Sequence, residues 1–288
     1  MRFLHVHSPW QDADRYDDLV DRYHNNVHFV GSQAQLIRDL ILFRLPTSVH
    51  SQSTMMGAFA ARSSQVDYGE RKQLEDFCRA YRHVLALDYY TKDSFFYRLL
   101  NRTLRQDCYD NIYQYRQAVI DVVNCLRRLS VIQNKTAARM VYRGQQITIF
   151  ELEKLKNNIG ELISCSSFLS TTLDPGLAEI FAGDGSNDDP YVASVIFQIQ
   201  LNTGQPMRPN ARILNSAEEE VLFSPCTKFR LMSCRKLHDN GRLWLFELLA
   251  IPEEQQKQVI LNHGETFLLL SSANGWPTSV VVVRRLTT

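Results

Sequence analysis

The spacing of the apolar residues changes near residue 136 of this 288-residue chain, and that change is the strongest constraint on its fold. Between residues 68 and 133, apolar side chains recur at intervals of three and four, which predicts three amphipathic helices. Their apolar faces run from Leu74 to Leu85, from Phe96 to Leu104 and from Ile112 to Leu129. After residue 136, short β-prone runs replace the helical repeat. Helices gathered before a block of strands favour an α+β fold.

The second part of the chain is predicted to contain six strands and two helices. The strands are expected at residues 139–142, 168–172, 191–201, 221–223, 229–237 and 243–251. The helices are expected at residues 150–163 and from Asp174-Pro175 to Phe181, where proline occupies the first turn. Asn240-Gly241 is typical of a hairpin turn, so the last two strands should be neighbours.

The two ends of the chain are harder to interpret. Residues 1–45 have a β-α-β-α pattern with strands at 3–6 and 27–30, too few strands for a stable sheet. We interpret them as a partial α/β segment, either the last part of an α/β domain or an appendage that docks elsewhere on the protein. Residues 46–67 are rich in Ser, Gln and Thr, which predicts a linker. Residues 253–288 form a tail with a helix-like start and a β-rich end at 279–285, to which no fold is assigned.

Composition excludes several classes of function. Thirty-two Lys and Arg residues balance 31 Asp and Glu residues, so we expect neither a nucleic-acid partner nor a membrane partner. The six cysteines form no C-x-x-C pair and no zinc-ligand spacing, so no metal is expected. No apolar run approaches the roughly 18 residues of a membrane span, and the start has no apolar signal-peptide stretch. A cytoplasmic location is therefore expected, with secretion left open if the chain is a fragment.

Three segments on three predicted strands carry residues suited to chemistry. They are Val141-Tyr-Arg-Gly144, Ser167-Phe-Leu-Ser-Thr-Thr172 and Glu218-Glu-Glu-Val-Leu-Phe223. Each is ordinary by itself, as a surface cation at a strand end, an edge strand with hydroxyl groups, and a solvated acidic loop. Their common order and spacing make a functional site the better interpretation.

The set resembles the Arg–Ser–Glu signature of arginine-specific mono-ADP-ribosyltransferases, including bacterial toxins and forms common in rotifers. Tyr142-Arg143-Gly144 matches the aromatic-Arg-Gly element. Ser170-Thr171-Thr172 matches the Ser-Thr-Ser element with Thr in the last place, and Glu218-Glu219-Glu220 matches the Glu-x-Glu element. The resemblance covers about residues 68–251. It implies an ADP-ribosyltransferase fold with two packed β-sheets around an NAD cleft, a helical subdomain at 68–133 and a catalytic core at 134–252.

The resemblance also implies catalytic roles. Cleavage of the nicotinamide–ribose bond gives an oxocarbenium-like cation, which a nearby carboxylate stabilises. Glu220 is expected to supply that carboxylate, and Ser170 to fix its rotamer through a hydrogen bond. Arg143 is expected to bind the pyrophosphate, since a guanidinium forms charge-assisted bidentate bonds. Glu218 is expected to orient an acceptor guanidinium and to accept its proton, while Glu219 is expected on the opposite strand face, in solvent.

Four further positions are expected to contact NAD. The Gly144 backbone can approach the nicotinamide amide because it has no side chain. Thr171 belongs to the same strand element as Ser170. Phe181 resembles the family's ring near nicotinamide, although a core phenylalanine is an equal alternative. Some relatives carry Arg where Asn215 stands, so Arg212 is the nearest alternative for a second phosphate contact.

The predicted reaction is transfer of ADP-ribose from NAD, with NADP as an alternative donor, to an accessible arginine on a protein, releasing nicotinamide. No metal takes part. Two alternatives stay open: an NAD glycohydrolase, with water as the acceptor, and an inactive NAD-binding or interaction module.

Overall fold

The chain forms a helical layer followed by a β-sheet, as the change in apolar spacing predicts. The structure is a computed structural model that describes residues 27–29, 33–45, 49–63, 68–92, 94–106, 108–133, 140–185, 189–201, 208–213, 219–237, 242–252, 265–271 and 277–284. The helices within these ranges are α1 (Gln33–Asp39), α2 (Val49–Ser63), α3 (Tyr68–Ala80), α4 (Ala86–Tyr90), α5 (Phe95–Arg105), α6 (Tyr109–Gln133), α7 (Ile149–Lys156) and α8 (Pro175–Ala182). The fold is therefore α+β.

The helices before residue 134 share one apolar core. The long helix α6 runs through it, and Leu74, Leu100 and Leu126 are fully buried there. α5 begins at Ser94, whose hydroxyl accepts a hydrogen bond from the Tyr97 amide, a capping arrangement typical of helix starts. The three predicted helical faces are confirmed, except that α3 ends at Ala80 and Leu85 lies in a separate 3₁₀ turn at His83–Leu85.

Nine of the described strands form one hydrogen-bonded sheet. They are β1 (Val27–Phe29), β2 (Met140–Thr148), β3 (Leu162–Cys165), β4 (Leu169–Thr172), β5 (Val192–Gln200), β6 (Asn210–Arg212), β7 (Glu220–Phe223), β8 (Lys228–Lys236) and β9 (Leu243–Ala250). Their spatial order is β1-β3-β8-β9-β5-β2-β4-β7-β6. β5 and β9 are parallel and every other pairing is antiparallel.

The two sheets expected from the resemblance correspond to two parts of this sheet, which meet between β2 and β4. The larger part is β1-β3-β8-β9-β5-β2, and the smaller part is β4-β7-β6. A single residue pair, Tyr142 opposite Thr172, joins them. Side chains from both parts meet in one core, where the Phe223 ring of β7 lies 5.7 Å from the Phe229 ring of β8. On the other face, Leu222 of β7 and Phe168, the residue before β4, pack on the helices. The smaller part is thus sandwiched between the helices and the larger part.

Two secondary-structure predictions were wrong. Residues 46–67, expected to be a linker, contain the 15-residue helix α2, whose Met55 and Phe59 are fully buried. The helix expected at 150–163 ends at Lys156, and the chain turns at Gly160, with a φ of +94°, into β3. A positive φ is readily available to glycine alone, so this residue ends the helical pattern. β2 is also longer than predicted, which places Arg143 within the strand rather than at its end.

The N-terminal segment is part of the same fold. β1 pairs with β3 at the edge of the sheet, and α1 continues into a π-helical turn at Leu40–Arg44. The strand and helix predicted before residue 27 lie outside the described residues.

A buried charge cluster joins α1 to the core. The Asp39 carboxylate lies 3.5 Å from Lys228 Nζ and 3.6 Å from Arg208 Nη2. Burial lowers the pKa of Lys228, and the Asp39 carboxylate opposes that shift. A buried charge is costly without a counter-charge. The Asp39 carboxylate of α1 therefore compensates the buried positive charges of Lys228 and Arg208.

The tail contains a second, separate pair of strands. β10 (Glu265–Ser271) and β11 (Pro277–Arg284) form an antiparallel hairpin, with Glu265 opposite Arg284. The predicted β-rich end of the tail is therefore confirmed. Among the described helices, none is both long and apolar enough to cross a membrane.

Candidate active site

A cavity of about 380 Å³ lies where β2 meets β4, at the junction of the two parts of the sheet. β2 contributes Tyr142 to Gln146, β4 contributes Ser170 to Thr172, α5 contributes Tyr97 and α8 contributes Phe181. Two of the three sequence motifs therefore line one cavity, although 26 residues separate Arg143 from Ser170 in the chain.

Arg143 is held at the cavity by two hydrogen bonds. Its Nε donates to Gln145 Oε1 at 2.9 Å, and its Nη1 donates to the Ser170 carbonyl at 2.7 Å. Burial, together with the charge of Arg105, lowers the pKa of the Arg143 guanidinium, while Glu220 acts in the opposite direction. Because the ordinary pKa of arginine is so high, Arg143 stays a cation at neutral pH.

The β4 hydroxyl groups have different surroundings. Ser170 is half-buried, whereas the buried Thr171 donates its hydroxyl to the Val221 carbonyl at 2.7 Å and so links β4 to β7. Thr172 lies opposite Glu220, and Ser170 lies opposite Leu222, two residues further along the ladder. The predicted hydrogen bond between Ser170 and Glu220 stays a prediction.

The Glu-x-Glu segment begins β7. Glu220 is its first residue, and Glu218 lies outside the described residues. Glu219 has a φ of +47°, which is uncommon for a residue with a side chain. Its carboxylate lies 2.6 Å from Arg212 Nη2, with both side chains about half-exposed. Glu219 is exposed, as predicted, although it precedes β7 and pairs with Arg212, which is not among the residues that line the cavity.

Gly144 is required by packing against α8. A Cβ atom there would lie 1.7 Å from the Ala178 carbonyl oxygen, far inside any real contact. α8 starts at Asp174, whose carboxylate accepts a hydrogen bond from the Gly176 amide, and it places Phe181 at the cavity. Phe181 is 51% exposed. Its position fits the predicted ring near the ligand better than the alternative of a core phenylalanine.

Comparison with known families assigns the chain. The family model described as NAD:arginine ADP-ribosyltransferase matches residues 44–249.

The chain belongs to this family.

It is accordingly an ADP-ribosyltransferase that uses NAD as its substrate, and the match includes the helices from α2 onward and the sheet strands from β2 to β9, but not β1.

The solved structures that resemble this chain have low sequence identity to it. The Vis toxin of Vibrio splendidus is 20% identical, with 75% of this chain and 92% of that chain covered and a TM-score of 0.41. HopU1 of Pseudomonas syringae pv. tomato DC3000 is 19% identical, with 78% and 99% covered and a TM-score of 0.44. The C3 exoenzyme of Clostridium limosum is 16% identical, with 59% and 84% covered and a TM-score of 0.42. No curated protein matches the chain.

The sequence motifs missed three side chains that line this ADP-ribosyltransferase cavity, those of Tyr97, Gln145 and Gln146. Tyr97 reaches it from α5, with its ring 5.2 Å from that of buried Tyr90. Tyr97 is 38% exposed while its neighbour Phe96 is buried. The signal in the sequence was therefore an aromatic residue that lies off the apolar face of its predicted helix. Gln145 could have been found as the residue two places after Arg143, which shares its strand face.

Within the described ranges, no group of three or more His, Cys, Asp or Glu side chains could hold a metal ion.

Proposed function

We propose that this ADP-ribosyltransferase modifies arginine side chains of proteins, taking ADP-ribose from NAD and releasing nicotinamide. The observation that carries the proposal is the fixed Arg143 cation in a cavity beside Glu220, where the Glu-x-Glu segment begins its strand. The family description supports arginine as the acceptor. The resemblance in sequence extends the donor to NADP.

Arg143 is the proposed contact for the pyrophosphate of NAD. Its guanidinium is a permanent cation whose orientation is fixed before the ligand arrives, and such pre-organisation reduces the entropy lost on binding. Gly144 follows it in the wall of the cavity, and its backbone is the proposed contact for the nicotinamide amide. Phe181 is the proposed ring partner of nicotinamide, and Ser170 and Thr171 are the proposed NAD contacts from β4.

Glu220 is the proposed stabiliser of the ribosyl cation. The bond between C1′ of the ribose and the nicotinamide nitrogen breaks, and its electron pair leaves on nicotinamide, which becomes neutral. Positive charge then develops on the ribose, and a fixed carboxylate nearby lowers the energy of that state. Glu220 lies opposite Thr172, which lines the cavity, so the carboxylate is within the same small region as Arg143.

Glu218 is the proposed residue for the acceptor. A guanidinium nitrogen attacks C1′ and loses a proton, which the Glu218 carboxylate accepts. Water needs no such orientation, so a carboxylate here favours transfer over hydrolysis. This reasoning favours the transferase over the glycohydrolase and the inactive module.

The substitution Glu218→Gln tests the acceptor assignment. We expect labelling of poly-arginine to collapse, because the guanidinium loses its partner, while slow release of nicotinamide persists. Both are measured on one preparation whose fold is checked by circular dichroism. Glu161→Gln, at an exposed position away from the cavity, is the matched control and should change neither. Equal loss of labelling and release would assign Glu218 to bond cleavage and remove the basis for arginine specificity.

The unmodified protein separates the other two functions. Release of nicotinamide without label on poly-arginine would indicate a glycohydrolase. Binding of NAD with neither release nor label would indicate an inactive binding module.

A further inference from the structure

Gln145 shares the face of β2 that carries Arg143. Alternate residues of a strand point to the same side, and both side chains line the cavity. Gln145 Oε1 accepts the hydrogen bond from Arg143 Nε at 2.9 Å. An interaction between two adjacent side chains on one rigid strand fixes an orientation better than a contact from a loop.

The two acceptors around Arg143 approach different nitrogen atoms. Gln145 binds Nε and the Ser170 carbonyl binds Nη1, and in the described part of the chain these are the hydrogen-bond acceptors of the guanidinium. A guanidinium offers five N–H donors in one plane. With two acceptors fixing that plane, Nη2 and the second proton of Nη1 remain for a ligand at the outer end of the group.

We propose that Gln145 is a positioning residue that presents the outer end of the Arg143 guanidinium to the pyrophosphate of NAD. The inference rests on the proposed role of Arg143 as the phosphate contact. Arginine has large rotamer freedom, and losing it on ligand binding weakens affinity. Gln145 removes that freedom in advance.

A neutral acceptor suits this position. The amide oxygen of glutamine holds Nε without cancelling the charge of Arg143. A carboxylate there would form an ion pair with the same guanidinium and would also repel the phosphate groups. The chemistry therefore predicts an order of NAD affinity with glutamine first, an apolar residue of equal size second and glutamate last.

The test compares Gln145→Met, which keeps the size and loses the acceptor, with Gln145→Glu, which keeps an acceptor and adds charge. We expect Gln145→Met to raise the Kd for NAD, measured by calorimetry, and the KM by roughly fivefold to twentyfold, since a hydrogen bond to a charged group is lost. kcat should change by less than about threefold, because the bond that breaks lies away from the phosphates. Gln145→Glu should weaken binding further.

The matched control is Gln198→Met. Gln198 is half-buried on the neighbouring strand β5, opposite Tyr142, and it does not line the cavity. Its Kd should stay within about twofold of the parent. Thermal unfolding of each variant establishes that the comparison is made on folded protein.

A double-variant cycle shows whether Gln145 acts through Arg143. Arg143→Lys should weaken NAD binding by itself, because a point charge replaces the fork. In that background Gln145→Met should add little, since coupled residues are not additive. If the two losses multiply, Gln145 contacts NAD directly and the inference is overturned. It is also overturned if Gln145→Met leaves Kd within twofold while Arg143→Lys weakens binding. If Arg143→Lys has no effect, the proposed phosphate contact itself is wrong.

Discussion

At the scale of single residues, the candidate site depends on charges that act on one another over short distances. Burial and the Arg105 cation lower the pKa of the Arg143 guanidinium, and the Glu220 carboxylate acts in the opposite direction. The Glu220 carboxylate therefore lies within electrostatic reach of the positive charge of Arg143. A positive charge that developed in the cavity would be within reach of the same carboxylate.

The substitution Glu220→Gln isolates that charge. Shape is kept and one negative charge is lost, so we expect transfer to fall by roughly 100-fold or more, the scale of one lost transition-state contact. NAD binding should change little. Nicotinamide release and calorimetry measure the two quantities, with Glu153→Gln on the exposed side of α7 as the control. Activity within about threefold of the parent would show that Glu220 is not the stabilising carboxylate.

The sequence predicted which residues line the site better than it predicted which side chains they contact. The motif residues Arg143, Gly144 and Ser170 line one cavity, as their common strands predicted. Arg212 was assigned to a phosphate by its distance along the chain, but its side chain pairs with Glu219. Such a pairing depends on the left-handed turn at Glu219, and glutamate gives no sequence signal for a positive φ.

At the scale of elements, α8 and β2 approach so closely that only glycine fits between them. Ala178 of α8 would contact any side chain at position 144. This contact sets the distance from the helix that carries Phe181 to the strand that carries Arg143. The width of the cavity therefore depends on the absence of a Cβ atom at position 144.

The substitution Gly144→Ala should force α8 away from β2. We expect a loss of more than about 2 kcal/mol in the free energy of unfolding, since overpacking at a rigid backbone contact is costly, together with weaker NAD binding. Gly57→Ala in α2 is the matched control, because nothing lies within 4 Å of its added Cβ. That change should stabilise the protein by about 0.5–1 kcal/mol. Equal effects of the two substitutions in urea unfolding would contradict the packing argument.

The wrong element predictions have physical causes. About half of the residues in α2 are polar, and its two fully buried apolar side chains, Met55 and Phe59, are one helical turn apart. A helix with so narrow an apolar stripe is held by its tertiary contacts, which a local pattern does not record. In the other case, Leu162 continued the spacing of the preceding helix by chance, although it already belongs to β3.

At the scale of the whole molecule, the N-terminal segment and the transferase core form one electrostatic unit. Sequence alone separated residues 1–45 because they have too few strands for a sheet of their own. β1 instead joins the sheet of the core by pairing with β3, which is distant in the sequence. Neither that pairing nor the contacts of Asp39 with Arg208 and Lys228 leaves a local sequence pattern.

The substitution Asp39→Asn should therefore destabilise the entire chain. Removing one partner of a buried ion pair leaves an uncompensated charge and costs about 3–5 kcal/mol. Denaturant unfolding measures the loss, and the double variant Asp39→Asn/Lys228→Met should lose less than the sum of its parts. Asp76→Asn in the exposed Asp76–Arg79 pair is the control and should cost under about 1 kcal/mol. A similar small cost at Asp39 would mean that the cluster is not needed for folding.

The side chain of one glutamine covers part of the edge of the sheet at β6, the last strand in the spatial order. Gln133, the last residue of α6, donates from Nε2 to the Arg212 carbonyl at 2.9 Å and accepts from the Arg212 amide through Oε1 at 2.8 Å. Its side-chain amide thus makes both hydrogen bonds that a tenth strand would make to this residue of β6. Exposed strand edges invite other chains to add to a sheet and aggregate. A second molecule cannot extend the sheet at Arg212 without first displacing Gln133.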